Sequence, residues 1–183
     1  TSPADVIPAI MGKAAQIDIF LLMVALGLAL FVGGIYLANR QHAASDKEED
    51  PRTSWGGLIT IIGFIGYIST LGLIAAISGA VEAGATDVAG TIIAISSGIQ
   101  GYADIFFGIG IAVMASAWAQ GSVHDRNTSY VLAVVGVLTV LARVILGLTG
   151  AEGDVTAMVG SILYVIATIS FVSIGVQTLQ AKS

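Results

Sequence analysis

Long apolar runs, separated by short polar connectors, constrain this chain more than any other feature. A helix that crosses the hydrocarbon core of a bilayer, roughly 30 Å thick, needs about 20 residues. Five such segments and their connectors use nearly the whole chain of 183 residues. The sequence therefore predicts an all-α polytopic bundle of about five transmembrane helices, which forms a single integral membrane domain over residues 1–183.

The low charge of the chain argues against a water-soluble fold. Only 10% of the residues are charged and 56% are hydrophobic, whereas an average soluble domain carries about 25% charged residues. So few charges cannot cover the surface of a soluble body of this size. The apolar excess is therefore expected to face membrane lipids.

The predicted spans follow the apolar runs and cover residues 17–38, 56–80, 101–119, 130–148 and 155–179. The first run ends at Asn39 and Arg40 rather than at a small-residue cleavage site, so we expect a retained helix. The charged stretch between the first two spans is predicted to be a solvated loop, because its charges cannot enter lipid cheaply.

Residues 88–120 are too many for one upright span, and Ser96, Ser97 and Gly98 interrupt their apolar pattern. The preferred interpretation is a short interfacial or re-entrant helix over residues 88–97, followed by the third span. The alternative is one long tilted helix that protrudes from the bilayer.

The basic residues predict an orientation. Five crossings place one group of bases on the same side, namely Arg40, Lys47, Arg52, Arg126 and Lys182. The opposite side holds Lys13 alone, so the positive-inside rule puts the N-terminus outside and the C-terminus in the cytoplasm. Four aromatic residues lie at the predicted cytoplasmic ends of spans, namely Tyr36, Trp55, Trp118 and Tyr130. The expected location is a plasma membrane, most simply a prokaryotic one.

Small residues at four-residue spacing let transmembrane helices approach closely. Three spans carry such rows, namely Ala25, Ala29 and Gly33; Gly72, Ala76 and Ala80; and Gly108, Ala112 and Ser116. These rows are expected to be contact faces, either within the bundle or against a partner subunit.

Ionisable residues inside spans are the best functional indicators, because a charge in hydrocarbon is costly. Three residues qualify, namely Asp18, Asp104 and Arg143, and all are predicted to lie in the outer leaflet. Arg143 cannot lose its proton and must pair, reach the surface or face water. We expect it to pair with Asp104, with Asp18 or Glu82 nearby. The pair would either fix the helix register, which we favour, or line a cavity for an anionic headgroup, a substrate or a proton.

Two tyrosines, Tyr67 and Tyr164, fall near the middle of the membrane and are weaker candidates for the same site. We expect each to satisfy its hydroxyl on a neighbouring backbone carbonyl. The two histidines, His42 and His124, fall in predicted cytoplasmic connectors and are expected to be solvated.

Several classes of site are excluded or unsupported. The chain has no cysteine, which removes thiolate metal sites and iron–sulfur clusters. No histidine lies at membrane depth for a haem, and no P-loop or zinc-protease motif is present. The net charge of -5 does not favour nucleic acid. We therefore expect no catalytic residues, no metal and no cofactor.

Three functions are compatible with this pattern. The short connectors, the small-residue rows and the lack of a catalytic motif favour a non-catalytic membrane subunit of a larger assembly. Its partners would be other membrane subunits or further copies of the chain. The first alternative is a small transporter or channel whose pathway contains Asp18, Asp104 and Arg143. The second alternative is a membrane enzyme that modifies lipids.

Overall fold

The computed structural model describes residues 7–8, 13–45, 50–149 and 154–180. In these ranges the chain forms five long helices and no strand: α1 (Ala14–Ser45), α2 (Pro51–Glu82), α3 (Thr86–Trp118), α4 (Arg126–Thr149) and α5 (Asp154–Gln180). All five are long and apolar enough to cross a membrane. The predicted set of five apolar helices is confirmed, and the chain is a multi-pass membrane protein.

The helices form a closed ring in chain order, each packed against its neighbours in the sequence, with α5 returning to α1. The contact between α2 and α3 is the most extensive, and the contact between α1 and α5 is the smallest of the five. Aromatic rings from four helices fill the middle of the ring. Phe31 of α1 lies 5.1 Å from Phe64 of α2 and 4.4 Å from Phe171 of α5, measured between ring centroids. Phe107 of α3 packs edge-on against Phe64.

The third span differs from the preferred prediction. A separate interfacial or re-entrant helix over residues 88–97 is wrong, because α3 runs without a break through that stretch. Serine does not end the helix there, since the Ser96 hydroxyl donates to the Ile93 carbonyl one turn earlier at 2.9 Å. The same stretch is held by packing on α2, where Ile93 joins an apolar cluster with Val81. Such packing lets polar and small residues remain helical inside a membrane protein.

The helices also extend further than predicted around the first connector. Helix α1 continues to Ser45, and α2 already begins at Pro51. The start of α2 is determined locally, because the Asp50 carboxylate accepts a hydrogen bond from the Arg52 backbone N–H at 2.9 Å and proline is favoured in the first helical turn. The charged residues 46–49 lie outside the described part of the chain, as do residues 150–153 and 181–183.

Glycines allow close contacts between helices. A Cβ atom on Gly63 of α2 would lie 2.7 Å from the backbone nitrogen of Phe107 on α3. A Cβ on Gly136 of α4 would lie 2.6 Å from the Gly108 carbonyl and 2.7 Å from the Ala112 nitrogen on α3. The predicted row that begins at Gly108 is therefore a contact face within the bundle.

The other two predicted rows face outward over most of their length, although Ala25 and Ala80 are half-buried and Ala80 packs on the apolar cluster of α2 and α3. Gly33 of α1 and Gly72 of α2 are exposed, and a Cβ atom at either position would meet nothing within 4 Å. Packing inside the ring therefore does not explain why Gly33 and Gly72 are small residues.

The ring is uneven at the end opposite the basic connectors. At a rise of 1.5 Å per residue, α2 extends about 22 Å beyond Tyr67. Helix α3 extends about 27 Å beyond Asp104 toward the same end. Helix α1 also extends about 26 Å beyond Phe31, whereas α4 continues only about 9 Å beyond Arg143. A tight turn containing Gly84, which has a φ of +73° that favours glycine, closes the longer pair. We call residues 72–97 the projecting arm.

Candidate functional site

An ion pair joins two helices deep in the bundle. Arg143 of α4 donates through Nε to Oδ2 of Asp104 on α3 at 2.5 Å, and its Nη2 contacts the same oxygen. The Tyr67 hydroxyl of α2 donates to the other carboxylate oxygen of Asp104. Both oxygens of Asp104 are therefore engaged, and three helices are tied at one level. We call these three residues the ion-pair cluster.

The depth of this cluster follows from helix geometry. Arg143 lies about 20 Å along α4 from Tyr130, and Asp104 lies about 21 Å along α3 from Trp118. Both reference aromatics are near the basic end of the bundle. The cluster is therefore well inside a hydrocarbon core of roughly 30 Å. Asp104 itself is near the middle of α3, because α3 is longer than the third span that was predicted.

The two charges differ in exposure. The Asp104 side chain is 14% exposed and the Arg143 side chain is 31% exposed. Both line a cavity of about 90 Å³ between α3, α4 and α5. Tyr164 of α5 lies on the same cavity and is exposed at its rim. The structure thus places Asp104, Arg143, Tyr67 and Tyr164 around one point.

Tyr67 differs from its prediction. Its hydroxyl was expected to bond to a backbone carbonyl, but it donates to the Asp104 carboxylate instead. A carboxylate is the stronger acceptor, because hydrogen bonds to charged groups exceed neutral ones in strength. Tyr67 therefore belongs to the ion-pair cluster.

The remaining predicted candidates lie elsewhere. Asp18 is exposed near the start of α1, about 20 Å along that helix from Phe31, whose ring packs beside the cluster level. Glu82 ends α2, about 22 Å from Tyr67. Neither carboxylate neighbours Arg143, so the expectation that Asp18 or Glu82 lies near the pair is wrong.

A second polar cluster lies at the basic end, where none was predicted. His42, in the last turn of α1, is 1% exposed, and His124, in the connector between α3 and α4, is 4% exposed. Their rings are stacked, with centroids 6.1 Å apart and planes 12° from parallel. The expectation that both histidines are solvated is wrong. The connector folds back over the end of α1, which buries both imidazoles.

Trp118 completes this second cluster. Its ring lies 5.0 Å from that of His124, measured between centroids. Its indole N–H donates to the Asn39 side-chain oxygen at 3.0 Å. Gly121 is required here, because a Cβ atom would lie 2.8 Å from Nδ1 of His42 and closer still to its Cε1. We call His42, His124, Trp118 and Asn39 the histidine cluster.

Burial changes the acid–base behaviour at this end. Burial is the main cause of a lowered pKa at His124; the Ala38 carbonyl acts in the opposite direction, and the nearby His42 ring lowers the pKa further. Neither ring nitrogen of His124 makes a hydrogen bond of normal geometry within the described part of the chain. The structure therefore favours a neutral His124.

Two exposed or half-buried carboxylates nearby behave differently. The Arg52 side chain, which bonds to Asp50 at 3.0 Å, lowers the pKa of that carboxyl. The Thr128 backbone N–H and hydroxyl lower the pKa of Asp125, to which they donate at 2.7 and 2.8 Å. Both groups are expected to stay ionised well below neutral pH.

One signal in the sequence points to the histidine cluster. Asn39 and His42 are three positions apart, so they share a face if α1 continues beyond the predicted end of its span. The placement of His124 against that face depends on the path of the connector, which has no local sequence marker.

Among the described residues, no group of three or more His, Asp or Glu side chains could hold a metal ion. The ion-pair cluster can orient helices and present guanidinium N–H groups to the cavity.

The chain matches no protein-family model, no curated protein and no solved structure. Its function has to be inferred from its own geometry.

Proposed function

We propose that the chain is a non-catalytic integral membrane subunit of a larger membrane protein assembly, and that the projecting arm contacts a partner subunit. The observation that carries this proposal is the unequal height of neighbouring helices, since α2 and α3 extend well past α4. The arm reaches about 22–27 Å beyond the ion-pair cluster, against about 9 Å for α4.

The surface of the arm supports a protein contact. The far edge of the hydrocarbon lies about 10 Å beyond the cluster, so an upright arm leaves the lipid well before its tip. Val88 of α3, about 24 Å beyond Asp104, is nonetheless about half exposed, as is Ile95 nearer the edge of the hydrocarbon. Apolar side chains held outside lipid are expected to be covered by another protein surface.

The exposed face of α2 changes character at the base of the arm. Below it the exposed residues are large, namely Leu58, Ile61, Ile62, Ile65 and Ile68. From Ser69 to Gly79 they are small, namely Ser69, Gly72, Ala75, Ala76 and Gly79. Large aliphatic residues suit lipid, whereas small residues let a second helix approach the backbone. A transmembrane or peripheral helix of a partner subunit is the occupant that fits this face.

Transport is less well supported. The rings of Phe31, Phe64, Phe107 and Phe171 pack against one another in the middle of the ring of helices, and this apolar filling does not favour a polar pathway there. Asp18, which a pathway was expected to use, is remote from the pair. A lipid-modifying enzyme is also less well supported, since only Asp104, Arg143, Thr139 and Tyr164 supply polar side chains to the cavity.

The proposal includes an orientation and a location. Arg40, Arg52 and Arg126 lie at the end of the bundle opposite the arm. By the positive-inside rule this end is cytoplasmic, so the N-terminus and the arm are outside. The membrane is proposed to be a prokaryotic plasma membrane.

Site-directed crosslinking in native membranes tests the proposal, and the lack of native cysteines makes single-cysteine variants clean. Val88→Cys and Ile95→Cys probe the arm, and Val172→Cys is the matched control on the exposed, lipid-facing side of α5. Each is labelled with a benzophenone maleimide and irradiated. The arm variants are expected to give one discrete protein adduct, and the control only lipid adducts.

A second pair of variants tests whether the partner captured by crosslinking is bound stably. Gly72→Leu adds bulk to the arm, while Gly33→Leu adds the same bulk to an exposed position on α1, and neither change meets an internal clash. Gly72→Leu is expected to reduce the copurifying partner several-fold and Gly33→Leu to leave it in a fixed ratio. A monomer in mild detergent, with lipid adducts alone at Val88 and Ile95, contradicts the proposal.

A further inference from the structure

Arg143 has hydrogen-bonding capacity that the described residues do not use. A guanidinium carries five N–H donors. Asp104 engages the edge formed by Nε and Nη2. The N–H groups on the Nη1 side have no acceptor among the residues that the structure describes. Unsatisfied donors at membrane depth are costly, so these groups need a partner from outside the described chain.

The cavity beside Arg143 can admit such a partner. Gly160 and Tyr164 of α5 lie on the cavity and are exposed, so it is reached from outside the bundle. A Cβ atom on Gly160 would meet nothing within 4 Å, which leaves the rim open. The volume of about 90 Å³ is enough for a few water-sized groups, each of which occupies about 30 Å³ in the liquid.

The chemistry of the walls is amphipathic. Arg143 is the more exposed member of its pair, and the Tyr164 ring stands at the rim. The remaining walls are largely apolar, with Phe107, Leu146 and Leu163 among them. Both oxygens of Asp104 are already occupied, by Tyr67 and Arg143, so its charge is locally neutralised.

The position along the membrane also fits a lipid. Arg143 lies about 9 Å below the end of α4. A lipid phosphate must be drawn inward by about 10 Å from the edge of the hydrocarbon to reach this depth, while its acyl chains run along the apolar cavity wall. Charged hydrogen bonds from arginine to phosphate oxygens are among the strongest available to a protein.

We propose that the Nη1 side of Arg143, with the Tyr164 hydroxyl at the rim, forms a binding site for a phosphate oxyanion, supplied by the headgroup of an anionic phospholipid. The site is separate from the projecting arm, and its occupancy does not depend on the proposed partner contact. Asp104 and Tyr67 act as positioning residues, because they fix the guanidinium through its other edge.

Lipid titration of the purified full-length protein in a nonionic detergent tests the site. The probes are phosphatidylglycerol, inorganic phosphate and diacylglycerol, the last of which has the acyl chains without the phosphate. Native mass spectrometry counts the bound molecules, and thermal unfolding reports the stabilisation that ligand binding gives. Phosphatidylglycerol is expected to bind and to raise Tm, and diacylglycerol is not.

Two glycine variants make the test independent of the ion pair. Gly160→Leu fills the cavity rim, and Gly147→Leu places the same side chain on an open, exposed position of α4 that does not line the cavity. Gly160→Leu is expected to weaken phosphatidylglycerol binding about tenfold, equivalent to the loss of one good charged hydrogen bond. Gly147→Leu is expected to bind like the unchanged protein.

The outcomes separate the sources of the oxyanion. If inorganic phosphate competes with phosphatidylglycerol and stabilises equally, the site is an oxyanion site that does not need acyl chains. Equal binding by the Gly160→Leu and Gly147→Leu variants overturns the proposal. So does an equal effect of diacylglycerol, or no binding of either phosphate probe, since water would then be the partner of Arg143.

Discussion

The ion-pair cluster and the histidine cluster both tie three parts of the chain together, but they do so by opposite means. The first uses a full positive and a full negative charge, with Tyr67 as a third member inside the bundle. The second uses two imidazole rings, an indole and one amide at the basic end, with His42 and His124 stacked and buried. Charge in lipid demands a partner, whereas a neutral imidazole is buried only if tertiary packing happens to cover it.

This contrast predicts which substitutions destabilise the bundle most. Removal of one partner of the ion pair leaves an uncompensated charge at membrane depth. Removal of one ring from the histidine cluster leaves a smaller defect near water. The ion-pair cluster should therefore dominate stability, and the histidine cluster should dominate the response to mild acid.

The largest expected effect is the loss of one charge. Asp104→Asn and Arg143→Gln should each destabilise the bundle by about 3–5 kcal/mol, because the remaining buried charge has no partner. The double charge swap, Asp104→Arg with Arg143→Asp, should recover much of the stability that either swap alone loses. Thermal unfolding in detergent measures all of these variants.

Arg126→Gln is the control for this experiment, because Arg126 is exposed at the start of α4. It should unfold like the unchanged protein. If both swapped single variants and the double variant are equally unstable, the pairing of Asp104 with Arg143 does not hold the helices.

The next largest effect concerns the tight contact in the histidine cluster. Gly121→Ala should destabilise the protein by about 1–3 kcal/mol, since its methyl group overlaps the His42 ring. Gly79→Ala is the matched control, because a Cβ atom there meets nothing within 4 Å. A Tm for Gly121→Ala equal to or above that of Gly79→Ala would show that the connector does not pack on α1.

A smaller effect is expected from a single hydrogen bond. Trp118→Phe keeps an aromatic ring but removes the indole N–H that donates to Asn39. The loss should be about 1 kcal/mol, the net value of a typical hydrogen bond plus part of the cost of an unpaired oxygen. Denaturant unfolding compares this variant with Phe171→Leu, which removes a core ring without touching a hydrogen bond. The larger loss should come from Phe171→Leu.

The smallest effect is a pH dependence between about pH 7 and pH 5. His124 has a lowered pKa in the folded protein, so the unfolded chain binds more protons as the pH falls below about 6.5. Stability is therefore expected to decrease on mild acidification. Asp50 and Asp125, whose pKa values are also lowered, lose their contributions only at more acidic pH.

Thermal unfolding of His124→Gln across the same range isolates this effect. Its Tm should depend less on pH than that of the unchanged protein, although it is lower at pH 7. Parallel pH profiles for the two proteins would show that the buried imidazole is not the group that responds.

The sequence is sufficient to predict the number of helices and the pair of charges, because both follow from the cost of polar groups in lipid. Arg143 and Asp104 are the only charged residues in their predicted apolar spans, so their pairing can be inferred from the sequence. The length of α3 cannot be inferred in this way. Serines and glycines near Ser96 resemble a break, and only packing against α2 keeps them helical.

The histidine cluster could not be predicted for a related reason. His42 lies beyond the apolar run of α1, and hydropathy alone places the end of the helix too early. His124 is buried by a connector whose path depends on Gly121 and Trp118. Contacts of this kind arise between distant parts of the chain and leave no periodic pattern to read.

The order of helices around the ring has a consequence for biosynthesis. Because each helix packs beside the one synthesised before it, nearly all contacts are available as soon as two successive segments have entered the bilayer. The pairing of α2 with α3 is the natural first step, and α4 and α5 add to it in turn. Only the seam between α1 and α5 must wait for the ribosome to finish, so nascent chains arrested before α5 should already hold a protease-resistant core of three or four helices.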